Sequence, residues 1–144
     1  MEISEKIIAE IADNLDIGML CFVHKRTGNI KTIIDEMRWL GADTEAWEDD
    51  MEEIDTNRSS YIEFEAMNSH ESFEVMLDFT ETVRNEHLQQ KLERALSRSK
   101  PFRHFKNTID HEDDYREEWF AYKKERYIEF VKQQMREYDI KVSR

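Results

Sequence analysis

The chain has 144 residues, a length suited to one domain, and its 11% aromatic content excludes an intrinsically disordered protein. Its net charge of −12 argues against generic binding to duplex nucleic acid, whose phosphates would repel it. The single cysteine, Cys21, excludes an internal disulfide framework and a multi-cysteine metal site.

The sequence also bears on the compartment. The N-terminus lacks the basic region and apolar run of a signal peptide, and no stretch approaches the roughly 18 apolar residues of a spanning helix. We therefore expect a reduced, cytoplasmic protein that does not insert into a membrane.

The sequence of the N-terminal half predicts two helices and three strands. Apolar residues at helical spacing follow Met1, with Ser4 as a candidate cap, and they are Ile3, Ile7, Ile8, Ile11 and Leu15. Two apolar runs, 17–23 and 29–34, flank a turn that contains Gly28 and predict a β-hairpin. Because the first run is apolar on both faces, it is expected to be a central strand, or to have helices over one face and an interface over the other. Residues 61–66 alternate between apolar and polar and predict a third, antiparallel strand.

Between these strands lies a very acidic segment. Trp47, Met51 and Ile54 are spaced i, i+4, i+7 and predict one apolar stripe on a short helix. The carboxylates of this helix could bind a hard cation, but no calcium-loop pattern or turn glycine accompanies them. We interpret them as a solvated surface or a surface that faces a partner.

The chain after residue 68 predicts only helices. Asn68, Asn85 and Pro101 mark three helix starts, and a long last helix is expected from Tyr115 to about Tyr138. The expected core face of the first of these helices is Phe73, Met76, Leu77, Thr80 and Val83. A run of strands followed by a run of helices favours the α+β class: a small antiparallel sheet of about three strands, packed against four or five helices in a single domain over residues 1–144.

The candidate binding residues are Arg103, Lys106, Arg116 and Trp119. Basic and aromatic residues mix in this region, as in sites that stack single-stranded bases. Aromatic residues at helical spacing are more typical of a core, and alternating charges are typical of ion pairs along a helix. Two arrangements stay open: the cations converge with Trp119 in a groove, or they pair with Asp110, Glu117 or Glu118 and support the fold.

Other reactive residues match no catalytic or metal-binding pattern. Cys21 lies in an apolar run, where a thiol is usually inert. His104 and the segment 111–114 could supply metal ligands, but their spacing fits no known motif, and acids before a helix stabilise its positive end. The sequence therefore predicts no catalytic residue, no metal and no cofactor.

Several phrases of the sequence resemble a protein family. The string PFRHFKNTID at 101–110 and the later REEWF at 116–120 are similar to the signature of a bacterial family catalogued as uncharacterised, number 0158 of the UPF series. The resemblance extends over most of the chain and includes the strand YIEF at 61–64. It implies one coherent domain and no particular activity, substrate or cofactor.

The charge distribution gives the functional expectation. Residues 1–97 carry 9 basic and 23 acidic residues, a net charge of −14, whereas residues 98–144 carry a net charge of +2 from 12 basic and 10 acidic residues. We expect a non-enzymatic binding or adaptor protein whose acidic surface, Glu45 to Glu65, meets a basic protein partner. The alternative is binding of single-stranded nucleic acid through the segment Arg98 to Lys106.

Overall fold

A computed structural model describes residues 1–143, which form an α+β structure of two compact units. The sheet unit comprises Met1–Met67 and the chain from Tyr127 onward, and the helical unit comprises Asn68–Arg126. The boundary at residue 126 falls within one continuous helix, Asp113–Glu137.

The described residues form five strands and six α-helices. The strands are β1 (Glu2–Ser4), β2 (Met19–His24), β3 (Ile30–Ile34), β4 (Tyr61–Phe64) and β5 (Lys141–Ser143). The helices are α1 (Glu5–Asp16), α2 (Glu48–Thr56), α3 (Ser69–Thr82), α4 (Glu86–Ser97), α5 (Pro101–Ile109) and α6 (Asp113–Glu137). Short 3-10 turns at Glu45–Trp47 and Arg58–Ser60 flank α2.

The sheet unit contains the three-stranded antiparallel sheet that the sequence predicts. Its strand order is β3-β2-β4, so the apolar first strand of the hairpin is central. Cys21 pairs with Thr32 on one side and with Phe64 on the other. Burial on both faces explains why β2 does not alternate between apolar and polar residues.

Side chains on the two faces of β2 enter different clusters. Cys21 and Val23 join a core that is built largely from α1 and from the end of α6. Phe22 points the other way and packs with Ile33 and with Ile54 of α2. The sheet is thus covered by helices on both faces, which holds α2 and its charged surface in place.

A second, two-stranded sheet pairs the two ends of the described chain. β1 and β5 are parallel, with Ile3 opposite Val142. Ser4 ends β1 and also caps α1, since its Oγ accepts a hydrogen bond from the N–H of Ile7 at 3.2 Å. The sequence analysis missed this pairing because strands of three residues carry no readable alternation.

The helical unit begins and continues at the capping residues that the sequence predicts. Asn68 forms a reciprocal capping box with Glu71, and Asn85 Oδ1 accepts a hydrogen bond from the N–H of Leu88 at 3.0 Å. Pro101 is the first residue of α5. The predicted starts of three helices therefore agree with the starts of α3, α4 and α5.

An aromatic cluster forms the centre of the helical unit. The ring of Phe79 lies 6.5 Å from Phe105 and 5.3 Å from Trp119, measured between ring centroids, and Phe105 lies 4.9 Å from Trp119. The predicted core face of α3 is partly wrong: Leu77 is 39% exposed, whereas Val75 and Phe79 are buried. The helix is turned by about one residue from the predicted face, because its aromatic partners on α5 and α6 select Phe79.

Candidate functional site

The structure places Trp119 in the core of the helical unit. Its ring is buried and packs against Phe79 and Phe105, while Lys123 Nζ lies 5.8 Å from its centroid. A side chain in this position stabilises the unit through apolar burial and aromatic contact.

Arg116 lies at the start of α6 and is held by two neighbours. Its Nε is 3.3 Å from Oδ1 of Asp110, and its guanidinium carbon is 4.7 Å from the centre of the Phe120 ring. Both contacts are local, since one joins consecutive helices and the other spans one turn. The contact with Asp110 therefore agrees with the alternative in which Arg116 pairs with a neighbouring carboxylate and supports the fold.

Arg103 and Lys106 share the solvent-facing side of α5. They lie opposite the buried residues Phe105 and Ile109 and are exposed. In the described part of the chain neither cation has an ion-pair partner. The four predicted residues therefore divide into a core ring, a paired arginine and two free cations.

An open groove of about 430 Å³ runs between α4 and α5, next to these two cations. Its lining residues are Lys91, Arg94, Ala95, Arg98, His104, Asn107 and Thr108. The α4 residues are spaced i, i+3, i+4, i+7 and the α5 residues i, i+3, i+4, so that each helix contributes one face. The sequence analysis included Arg98 and His104 in its basic segment but missed the contribution of α4.

The groove is positive in a protein that is negative as a whole. Residues 91–106 include six basic residues and one acidic residue, and no carboxylate lines the groove. The linker between the helices passes through Lys100, whose φ of 55° is left-handed and rare for a residue with a side chain. Arginine, lysine, histidine and amide groups together form a set of donors suited to an oxyanion.

A second charged surface lies on α2 in the sheet unit. Trp47, Met51 and Ile54 pack toward Phe22, which confirms the predicted apolar stripe. The carboxylates consequently face solvent. We call the exposed residues Glu48, Asp49 and Glu52 of α2, together with Glu45 in the 3-10 turn before it, the acidic surface of α2.

Few of the α2 carboxylates are neutralised. Asp50 accepts a hydrogen bond from Nζ of Lys31 at 2.8 Å and raises the pKa of that lysine, and Asp55 lies 3.7 Å from Arg58. Glu53 accepts hydrogen bonds from the side-chain amide of Asn57 at 3.0 Å. Among residues 1–143, the four carboxylates of the acidic surface have no such partner.

An exposed apolar segment precedes this surface. Met37 is 83% exposed and Leu40 82% exposed, while Trp39 donates a hydrogen bond from Nε1 to the carbonyl of Gly18 at 3.3 Å. Gly18 has a φ of +92°, and an added Cβ would meet Arg38 at 2.7 Å, so this turn requires glycine. Between residues 35 and 60 the sequence predicts only the short helix through Trp47, Met51 and Ile54, because the exposed apolar residues of this loop follow no periodic signal.

The surroundings of Cys21 and of the acidic side chains decide what chemistry these groups can support. Burial raises the pKa of the Cys21 thiol to about 11, although a hydrogen bond with Thr32 acts in the opposite direction. In the described residues no group of three or more His, Cys, Asp or Glu side chains could hold a metal ion.

None of the helices described for this chain is long and apolar enough to cross a membrane.

Comparison with known proteins identifies the family. A family model described as an uncharacterised protein family, UPF0158, matches residues 3–143, which include both compact units. No curated protein and no solved structure matches the chain significantly. Because the matched residues extend over nearly the whole sequence, the chain belongs to the uncharacterised protein family UPF0158.

Proposed function

We propose that this protein is a non-enzymatic binding or adaptor protein whose acidic region, Glu45 to Glu65, binds a basic protein partner. The observation that carries the proposal is the unneutralised acidic surface of α2, a row of carboxylates on a helix that the sheet holds in place. Fixed charges of one sign attract a partner of the opposite sign and orient it during encounter.

Charge complementarity raises the association rate and orients the partner more than it raises affinity. Stable binding therefore also needs an apolar contact. The segment Met37–Leu40 offers one immediately before the acidic surface. Its Trp39 is anchored to Gly18 and remains half-exposed, and an aromatic ring of this kind is the usual centre of a protein interface. We expect the partner to combine lysine or arginine with apolar residues.

The test is a pull-down from a lysate of the organism that carries the gene, at low and high salt. The test variant is Glu48→Gln/Asp49→Asn/Glu52→Gln, and the matched control is Glu81→Gln/Glu117→Gln/Glu125→Gln, which removes the same charge from exposed residues of the helical unit. We expect a basic protein that the wild type and the control capture at low salt and that the α2 variant loses. Absence of any salt-sensitive protein partner, or its retention by the α2 variant, rejects the proposal.

Binding of single-stranded nucleic acid through Arg98 to Lys106 is the second candidate function. The favouring observation is that Arg98, Arg103 and Lys106 are exposed without ion-pair partners in the described chain, with Phe102 42% exposed among them. Cations that track phosphates and a ring that stacks on a base are the usual elements of such sites. Fluorescence anisotropy with short oligonucleotides at low salt should show binding that Arg103→Ala/Lys106→Ala weakens, and flat curves reject this candidate.

A further inference from the structure

The cations that line the α4–α5 groove lack the carboxylate partners that several other cations of the helical unit have. Arg84, Arg116 and Arg126 each lie within 3.3 Å of a carboxylate oxygen. Lys91, Arg94 and Arg98 have no ion-pair partner in the part of the chain that the structure describes. Arg103 and Lys106 on the outer side of α5 are unpaired as well, so the unpaired cations described for this unit lie in the groove and beside it.

Like charges at the spacing of these residues repel each other. Lys91 and Arg94 are separated by three residues, and Arg94 and Arg98 by four, so both pairs are neighbours on the surface of the helix. The negative end of the α4 dipole compensates Arg94 and Arg98, which lie at its last turn and cap. It does not compensate Lys91, nor does it explain the three polar residues that α5 adds.

We propose that the α4–α5 groove is a binding site for the phosphate group of a nucleotide-like ligand. Two guanidinium groups, one ammonium group, the imidazole of His104 and the amide of Asn107 supply donors from two sides, as a phosphate with several acceptor oxygens requires. Thr108 donates its own hydroxyl hydrogen to the carbonyl of His104 at 2.9 Å, so this hydroxyl does not add to the donors of the groove.

The size of the groove admits a ligand larger than an inorganic phosphate. Its volume of about 430 Å³ falls within the range of about 300 to 1,000 Å³ that is typical of small-molecule sites. An inorganic phosphate would leave much of this space to water, whereas a phosphate that carries a sugar and a base would occupy it. The same phosphate chemistry could come from a free nucleotide or from one residue of a single strand, and the experiment separates these sources.

Titrations monitored by calorimetry with inorganic phosphate, adenosine monophosphate and a short single-stranded RNA test the site. The groove variant is Lys91→Gln/Arg94→Gln. The matched control is Arg103→Gln/Lys106→Gln, because each pair removes two exposed positive charges and includes one basic residue from the last turn of its helix. Circular dichroism verifies that both variants fold.

We expect adenosine monophosphate to bind more tightly than inorganic phosphate, and the groove variant to weaken its binding about tenfold or more. The control should change it by less than about threefold, since its charges lie outside the groove and are screened by salt. A free nucleotide is the ligand if the mononucleotide binds at least as well as the RNA. A single nucleic-acid strand is the ligand if the RNA binds more tightly than the mononucleotide and the groove variant weakens RNA binding.

Three results overturn the site: no binding of any of the three probes, equal losses in both variants, or losses confined to the Arg103→Gln/Lys106→Gln control. The last result would support the second candidate function while rejecting the groove. None of these results depends on a basic protein partner, so the inference does not rest on the proposed role of the acidic surface and fails separately from it.

Discussion

The two compact units carry very different charge. The sheet unit has 20 acidic and 10 basic residues, a net charge of −10, whereas the helical unit has 13 acidic and 11 basic residues, a net charge of −2. In each unit a helix buries an apolar face and leaves its remaining side chains to solvent. The sign of each surface is therefore set by residues that the core does not need, namely carboxylates on α2 and cations on α4.

The units also differ in what holds them together. In the sheet unit, polar side chains of α6 join distant parts of the chain: Tyr127 accepts a hydrogen bond from the N–H of Met67 at 2.9 Å, and Gln134 bonds both backbone groups of Glu65 at 2.8 Å. In the helical unit the contacts between Phe79, Phe105 and Trp119 dominate. The sheet unit should thus be sensitive to the loss of these hydrogen bonds as well as to changes in its apolar core, and the helical unit to cavities.

The largest effect should come from Trp119→Ala. Removal of a buried ring leaves a cavity beside Phe79 and Phe105, and we expect the free energy of unfolding to fall by about 3–5 kcal/mol. Urea unfolding measures the loss, with Phe102→Ala on the exposed side of α5 as a control that should cost about 1 kcal/mol or less. A loss below about 0.5 kcal/mol would instead favour the alternative arrangement, in which Trp119 lies in an open binding groove.

The same variant tests the prediction of a single domain. Its two remaining tryptophans, Trp39 and Trp47, lie in the sheet unit, so fluorescence then reports that unit alone while circular dichroism reports the helices of both. Coincident transitions at a lower urea midpoint are expected for one cooperative domain. If the fluorescence midpoint stays at the wild-type value while the helices unfold earlier, the units unfold separately and the single-domain prediction is wrong.

Cys21 should make the sheet unit sensitive to high pH. Burial raises its pKa from an ordinary value of 9.0 to about 11, so the folded state binds the thiol proton more tightly than the unfolded state does. This stabilisation is fully present below pH 9 and is lost as the pH rises through about 11. Between pH 8.5 and pH 11, wild type should lose on the order of 2 kcal/mol more stability than Cys21→Ala. Parallel curves would contradict the prediction.

Gln134→Ala should have the next largest effect. The buried amide accepts from the N–H of Glu65 and donates to its carbonyl, so its removal leaves two backbone groups without their partner. We expect a loss of about 1–3 kcal/mol in the free energy of unfolding. The neighbouring Gln133→Ala is the control, because Gln133 is exposed and bonds only Arg136, and it should change stability by no more than about 0.5 kcal/mol. Equal losses would show that the difference in burial has no energetic weight.

Local patterns were sufficient for most of the fold. The hairpin, its central strand and the helix starts at Asn68 and Asn85 follow from periodicity and capping, which depend on residues close in sequence. The pairing of β1 with β5 and the choice of Phe79 over Leu77 depend on residues far apart in sequence. No local pattern predicts that two three-residue strands at opposite ends of the chain will pair. On α3, the helical period fits a buried face through Leu77 as well as one through Phe79.

The candidate site was predictable only in part, for the same reason. The basic character of the segment Arg98 to Lys106 is visible in the sequence, but the side of it that lines the groove is set by contact with another helix. Lys91 and Arg94 lie on that helix and were not among the candidates, whereas Trp119 was included for its ring and lies in the core. Gln133 and Gln134 illustrate the limit most simply, since they are identical neighbours and only one of them is buried.

Arg116→Gln should have the smallest effect and decides how this residue acts. It removes the contact with Asp110 and the stacking on Phe120, and since the two charged side chains are 47% and 32% exposed, we expect a loss of no more than about 1 kcal/mol. A double-mutant cycle with Asp110→Asn should give a coupling energy of about 0.2–1 kcal/mol. Because Arg116 does not line the groove, phosphate affinity should stay unchanged. A tenfold loss of phosphate affinity with no coupling to Asp110 would make Arg116 a ligand residue, and the division between paired and free cations in the helical unit would then be wrong.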